Sequence, residues 1–93
     1  MVAAKTGKAI RVEDKEAAQA AVYDARAFFA KSEKTFADAE INGERARTLR
    51  EWARYEIKSG ERDLGGKMWQ EAREIFAKLG AQREVARMNE MPE

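Results

Sequence analysis

Apolar side chains recur along this chain with the period of a helix, and the breaks in that period divide it into four segments. Val22, Ala25, Phe29, Ser32 and Phe36 follow one another at spacings of three and four, with Ala18, Ala21 and Phe28 alongside. That is the stripe of an amphipathic helix, predicted from about residue 13 to 40. Asn42-Gly43 is expected to supply its left-handed stop. A second helix, from Glu44 to Ser59, places Ala46, Leu49, Trp52, Ala53 and Ile57 on its buried side, and Gly60 ends it. A third, over about 62–79, gathers Met68, Trp69, Ala72, Ile75, Phe76 and Leu79 on one broad face, and Leu79-Gly80 repeats the stop. A short fourth, over about 82–90, offers Val85 and Met88 before Pro92. No segment alternates with period two. The expected fold is all-α: antiparallel helical hairpins, about four helices, in one domain over 13–93. Residues 1–12 carry Lys5, Lys8 and Arg11 without periodicity and are expected to form a flexible arm.

Shifting the chain on itself by forty residues sets Phe36 on Phe76, Ala37 on Ala77, Glu44 on Glu84, Ala46 on Ala86 and Arg47 on Arg87. Phe29 then meets Trp69, and the small Ala25 meets Gly65. Large and small positions keep phase in both copies, the signature of a weak internal repeat.

The stretch KSGERDLGGKMW, residues 58–69, holds three glycines and a lysine and invites comparison with a phosphate-binding loop. Such a loop needs G-x-x-x-x-G-K-[ST] behind a buried strand, so that backbone amides wrap the phosphates and the hydroxyl holds magnesium. Here the glycine spacing is one residue too long, Met68 stands in place of the hydroxyl, and the preceding segment reads as helix. The stretch is better explained as helix end, turn and helix start. A glycine inside a helix costs about 1 kcal/mol relative to alanine. Gly65, one turn before Trp69, would offset that cost by admitting a neighbouring helix where a methyl group would clash.

Leu49, then Trp52-Ala53, Gly60, Gly65, Trp69 and Ala72 stand in the order and register of a tetratricopeptide repeat, and residues 46–79 resemble one such unit. Residues 13–40 match the second helix of a preceding unit, and 82–90 the start of a following one. Glu56 departs from the family's usual tyrosine, with Tyr55 adjacent, and Gly65 replaces its usual alanine. The ending EAREIFAKLGAQREVARM is similar to the terminal units of helical-repeat tails in bacterial regulators and cyclases. The resemblance implies a scaffold that docks protein segments and carries no chemistry of its own. Fewer than about three such repeats seldom bury a sufficient core. The chain is therefore expected either to belong to a longer array or to form a homo-oligomer, with Val22, Phe28 and Phe29 as the self-association contact.

Charge and composition narrow the choice further. Lysine and arginine number 18 against 17 acidic residues, a net charge of +1. Bulk electrostatics therefore single out neither nucleic acid nor a membrane as partner. Cysteine and histidine are absent, which removes thiol chemistry and the usual soft metal ligands. No cofactor and no catalytic residue is expected, because Ser32 and Ser59 have no evident activating base. The N-terminus lacks the apolar core of a signal peptide, and a cytoplasmic location is the expectation.

Within that balance one local asymmetry stands out. Arg47, Arg50, Arg54 and Lys58 follow at spacings of three, four and four on the second helix, which at about 100° per residue keeps them in one narrow sector. If the repeat resemblance holds, this sector lines a groove whose guanidinium groups suit an acidic peptide or helix. The plainer reading is a solvated face with Glu44 and Glu51 as partners. The alternative from another class is a nucleic-acid-binding helical domain using the same stripe. Trp52 and Trp69 could anchor an interface, yet both fall at core positions.

Overall fold

The computed structural model describes the chain over residues 12–92, with side chains from residue 24 onward. The expected N-terminal arm lies outside those residues but for Val12. Among the described residues the fold is all-α, with α1 at Val12–Asp38, α2 at Asn42–Lys58, α3 at Arg62–Lys78 and α4 at Gln82–Arg87.

The three connections share one geometry and recur every twenty residues. At the first, the Glu40 N–H donates to the Ala37 carbonyl at 3.1 Å and the Ile41 N–H to Phe36 at 2.9 Å. Gly60 and Glu61 repeat the pair onto Ile57 and Glu56, and Gly80 and Ala81 onto Ala77 and Phe76. These nested bonds satisfy carbonyls that a helix end leaves unpaired, and they require a left-handed residue just past the cap. Gly60 at φ 100° and Gly80 at φ 75° supply it as expected. The first stop differs from the expectation. Glu40 takes the left-handed conformation at φ 58°, and Asn42-Gly43 opens α2 instead of closing α1. The stop thus falls twenty residues before Gly60, where the sequence holds glutamate.

Each helix packs antiparallel on its neighbours in the chain. Helix α2 lies between α1 and α3, and α3 between α2 and α4. Among the described residues no Cα of α1 comes within 8 Å of one in α3, nor any of α2 within 8 Å of one in α4. Side chains span these wider gaps, Arg45 of α2 reaching both α1 and α3 and Arg50 reaching α4, so the helices form two rows, α1 with α3 and α2 with α4. The core lies where the rows meet: Ala46, Leu49 and Ala53 from α2, Trp69, Ala72 and Phe76 from α3, and Met88 just after α4. Trp69 donates its indole N–H to the Met88 carbonyl at 3.1 Å, so its polar edge is satisfied while the ring is buried.

The α2–α3 crossing is set by Gly65. A Cβ built there would stand 2.5 Å from Ile57 Cγ1 and 2.9 Å from the Ala53 carbonyl oxygen. The second of these is backbone and cannot swing aside. Gly66 is different, with only the flexible tip of Met91 beyond 3.4 Å. The two adjacent glycines thus predict opposite outcomes in chemical denaturation. Gly65→Ala should lose about 1–3 kcal/mol by overpacking, whereas Gly66→Ala should gain up to about 1 kcal/mol from helix propensity. Equal effects of the two substitutions would disprove the close approach.

Candidate functional site: the basic face of α2 and its ion pairs

Two sides of α2 carry arginines, and they do different things. On the side facing α1 and α3 the charges are structural. Glu56 is 1% exposed, a burial that would be costly for an unpaired carboxylate. Arg26 of α1 satisfies it from two nitrogens, Nε at 2.8 Å and Nη2 at 2.7 Å, and Trp52 donates its indole N–H at 2.9 Å. Burial pushes the Glu56 carboxyl up, but the hydrogen bonds from Arg26 and Trp52 outweigh it and hold the group below its ordinary value. Phe29 stacks on Trp52 with centroids 6.1 Å apart and planes 12° apart, and it also meets Tyr55. One turn from the N-terminus of α2, Arg45 spans both neighbours. Its Nε reaches Glu33 of α1 at 2.6 Å and its Nη2 reaches Glu71 of α3 at 2.8 Å.

The basic stripe expected from the sequence lies on the side that α2 shares with α4. Arg50 is its most buried member, 14% exposed at the side chain, and it bonds Glu84 of α4 at 2.5 Å. Its guanidinium lies 5.1 Å over the Phe76 ring, and its Nε is buried without a hydrogen-bond partner. The bond from Arg50 holds the Glu84 carboxyl below its ordinary value against the opposing pull of desolvation. Arg54 stands 5.6 Å over the Trp69 ring and pairs with Glu51 on its own helix at 2.7 Å. Arg47 pairs with Glu44 at 3.0 Å, also within the helix. Lys58 is exposed, and among the described residues no ion pair holds it. Forty residues beyond Glu44–Arg47, Glu84 and Arg87 form the corresponding pair at 3.7 Å. The row thus presents Arg47, Arg54, Lys58 and Arg87 toward solvent, with Arg50–Glu84 closing the gap between its two helices.

Of the residues expected to self-associate, Phe28 and Phe29 touch edge-on but differ in exposure. Phe29 is turned toward α2, while Phe28 is 67% exposed and the side chain of Val22 lies outside the described residues. The stretch 58–69 forms a helix end, a turn at Gly60 and the first turns of α3. The space beside Gly65 that a phosphate would need is filled by Ile57 and Ala53. No group of three or more acidic, histidine or cysteine residues fit to hold a metal occurs among the described residues. Nor is any described helix long and apolar enough to cross a membrane.

The sequence matched none of Arg26, Glu33, Arg45, Glu71 and Glu84 to the ion-pair partner it has in the structure. The one available signal was Glu56, a carboxylate at a position where a large aromatic was expected. Because Arg26 remains partly exposed, its attraction to Glu56 is screened, and Glu56→Gln should cost about 1–2 kcal/mol, less than a fully buried pair. A depressed carboxyl stabilises the fold above its unfolded value, near 4.5, and loses that contribution as pH falls through the lower folded value. The stability gap between wild type and Glu56→Gln should therefore be constant near neutrality and narrow below about pH 4.5. A gap that widens in acid would refute the pairing. Comparison with known protein families, curated proteins and solved structures finds no match for this chain.

Proposed function

We propose that the chain is a protein-interaction module of the tetratricopeptide kind, which docks an acidic peptide or helix along the row formed by α2 and α4. The observation that supports it is the exposed line of Arg47, Arg54, Lys58 and Arg87 beside a pre-bridged Arg50–Glu84 floor. Arg47 and Arg54 are held by carboxylates three residues away on their own exposed helix surface. Such pairs are worth only about 0.3–0.5 kcal/mol, so a ligand carboxylate replaces Glu44 or Glu51 at small cost. Guanidinium groups then offer paired N–H donors to each incoming carboxylate. Arg50 acts from beneath, fixing the spacing of the two helices while Glu84 balances its charge. The recurrence of the Glu–Arg pair at 44/47 and 84/87, and of one connection every twenty residues, agrees with a repeat architecture.

A short glutamate-rich peptide, its lysine-rich counterpart and single-stranded oligouridylate, each followed by fluorescence anisotropy, test the reading. The acidic peptide should bind, and reversing Arg47 and Arg54 to Glu together should weaken it about tenfold or more, as loss of charge-assisted bonds demands. Tighter binding of oligouridylate, with affinity falling steeply as salt rises, would transfer the stripe to nucleic acid. Failure of the acidic peptide to bind at all would reject the docking role.

A further inference from the structure

The forty-residue correspondence assigns a partner to a surface that the α2–α4 row does not use. On α3, Gly65, Met68 and Ala72 form a strip that is covered in the fold, its first member lying against α2. Gly65 lies against Ala53 and Ile57, Ala72 is fully buried, and Met68 packs on the core. The corresponding residues of α1 are Ala25, Phe28 and Ser32, with the same small–large–small order. Among the described residues no helix covers that strip, because α1 packs on α2 alone through Phe29, Arg26 and Glu33. Phe28 is accordingly 67% exposed, touching Phe29 edge-on at 6.1 Å.

The charges beside the strip indicate what covers it. Asp24 and Lys31 are both exposed, and neither has an ion-pair partner among the described residues. Seven residues fall about 20° short of two turns, so the two lie on one edge of the strip with Phe28 midway along the axis between them. An antiparallel copy of the same helix, centred on Phe28, brings each Asp24 level with the other copy's Lys31. It also sets Ala25 opposite Ser32, leaving room on either side for the two phenyl rings. A parallel copy would instead put the two charged edges on opposite sides of the seam, where Asp24 and Lys31 do not meet.

We propose that α1 pairs with α1 of a second copy of this chain, antiparallel about Phe28, with two reciprocal Asp24–Lys31 contacts. The contact is isologous, so it closes at a dimer. It does not rest on the peptide-docking reading, since it involves none of the same residues.

Sedimentation equilibrium from micromolar to millimolar protein tests it. The mass should rise from 10.6 kDa toward twice that value and fall again on dilution. Phe28→Glu should stay monomeric throughout while keeping the wild-type helical signal, because the side chain it replaces is exposed. Asp24→Lys and Lys31→Asp should each weaken dimerisation severalfold, and the double variant, which regenerates both contacts with reversed polarity, should recover it. A wild type that stays at 10.6 kDa at millimolar concentration overturns the proposal. So does growth beyond a dimer, or a dimer indifferent to Phe28→Glu, or single charge reversals without rescue in the double variant. Should Phe28→Glu fail to fold, the charge-reversal set decides alone.

Discussion

The closeness of α2 and α3 is the constraint on which the remaining packing depends. Gly65 lets the two backbones approach until the α3 main chain lies against Ala53 and Ile57. At that separation the small residues Ala46, Ala53 and Ala72 suffice to fill the seam. The large rings of Trp69 and Phe76 complete the same cluster with Met88, and Val85 packs against it. A wider crossing would leave the alanines facing a void, and dispersion contacts fall off steeply with such a gap.

Around this seam the protein uses arginines where a larger protein would use apolar volume. Each of three side chains joins α2 to a neighbour: Arg26 enters from α1, Arg45 reaches both α1 and α3, and Arg50 extends to α4. Their aliphatic stems cover apolar surface while the charged ends find carboxylates. This division explains how a chain with 38% charged residues folds around a thin core. It also separates two kinds of charge on one helix. The pairs that cross between helices are partly buried and structural, whereas those within α2 are exposed and exchangeable.

Much of this was legible beforehand, for physical reasons that differ between elements. The helices and most of the core followed from the 3.6-residue period, and Gly60, Gly80 and Gly65 announced themselves because glycine is costly in a helix unless geometry requires it. The end of α1 was misplaced because Glu40 is an uncommon occupant of a left-handed position and Asn42-Gly43 a favoured one. In the structure the stop is at Glu40, twenty residues before Gly60. Arg26–Glu56 and Arg50–Glu84 were hidden because their partners stand 30 and 34 residues apart. In a chain where more than a third of residues are charged, every arginine has many candidate carboxylates, and periodicity does not choose among them. The basic stripe was placed on one helix correctly, but its division into a buried strut at Arg50 and exposed neighbours needed the position of α4.

The repeated connection also bears on how the molecule comes to its fold. Since each helix brings its backbone close only to its neighbours in the chain, forming any one hairpin closes a loop of a few residues, and Arg50–Glu84 is the longer-range strut added on top. Chains with such local contacts fold rapidly, and each hairpin can form before the next is complete. The same locality makes the ends separable: α1, which among the described residues packs on α2 alone, can detach while the α2–α3 seam persists. Amide exchange in its outer turns would then report a sub-global opening rather than the unfolding of the whole chain.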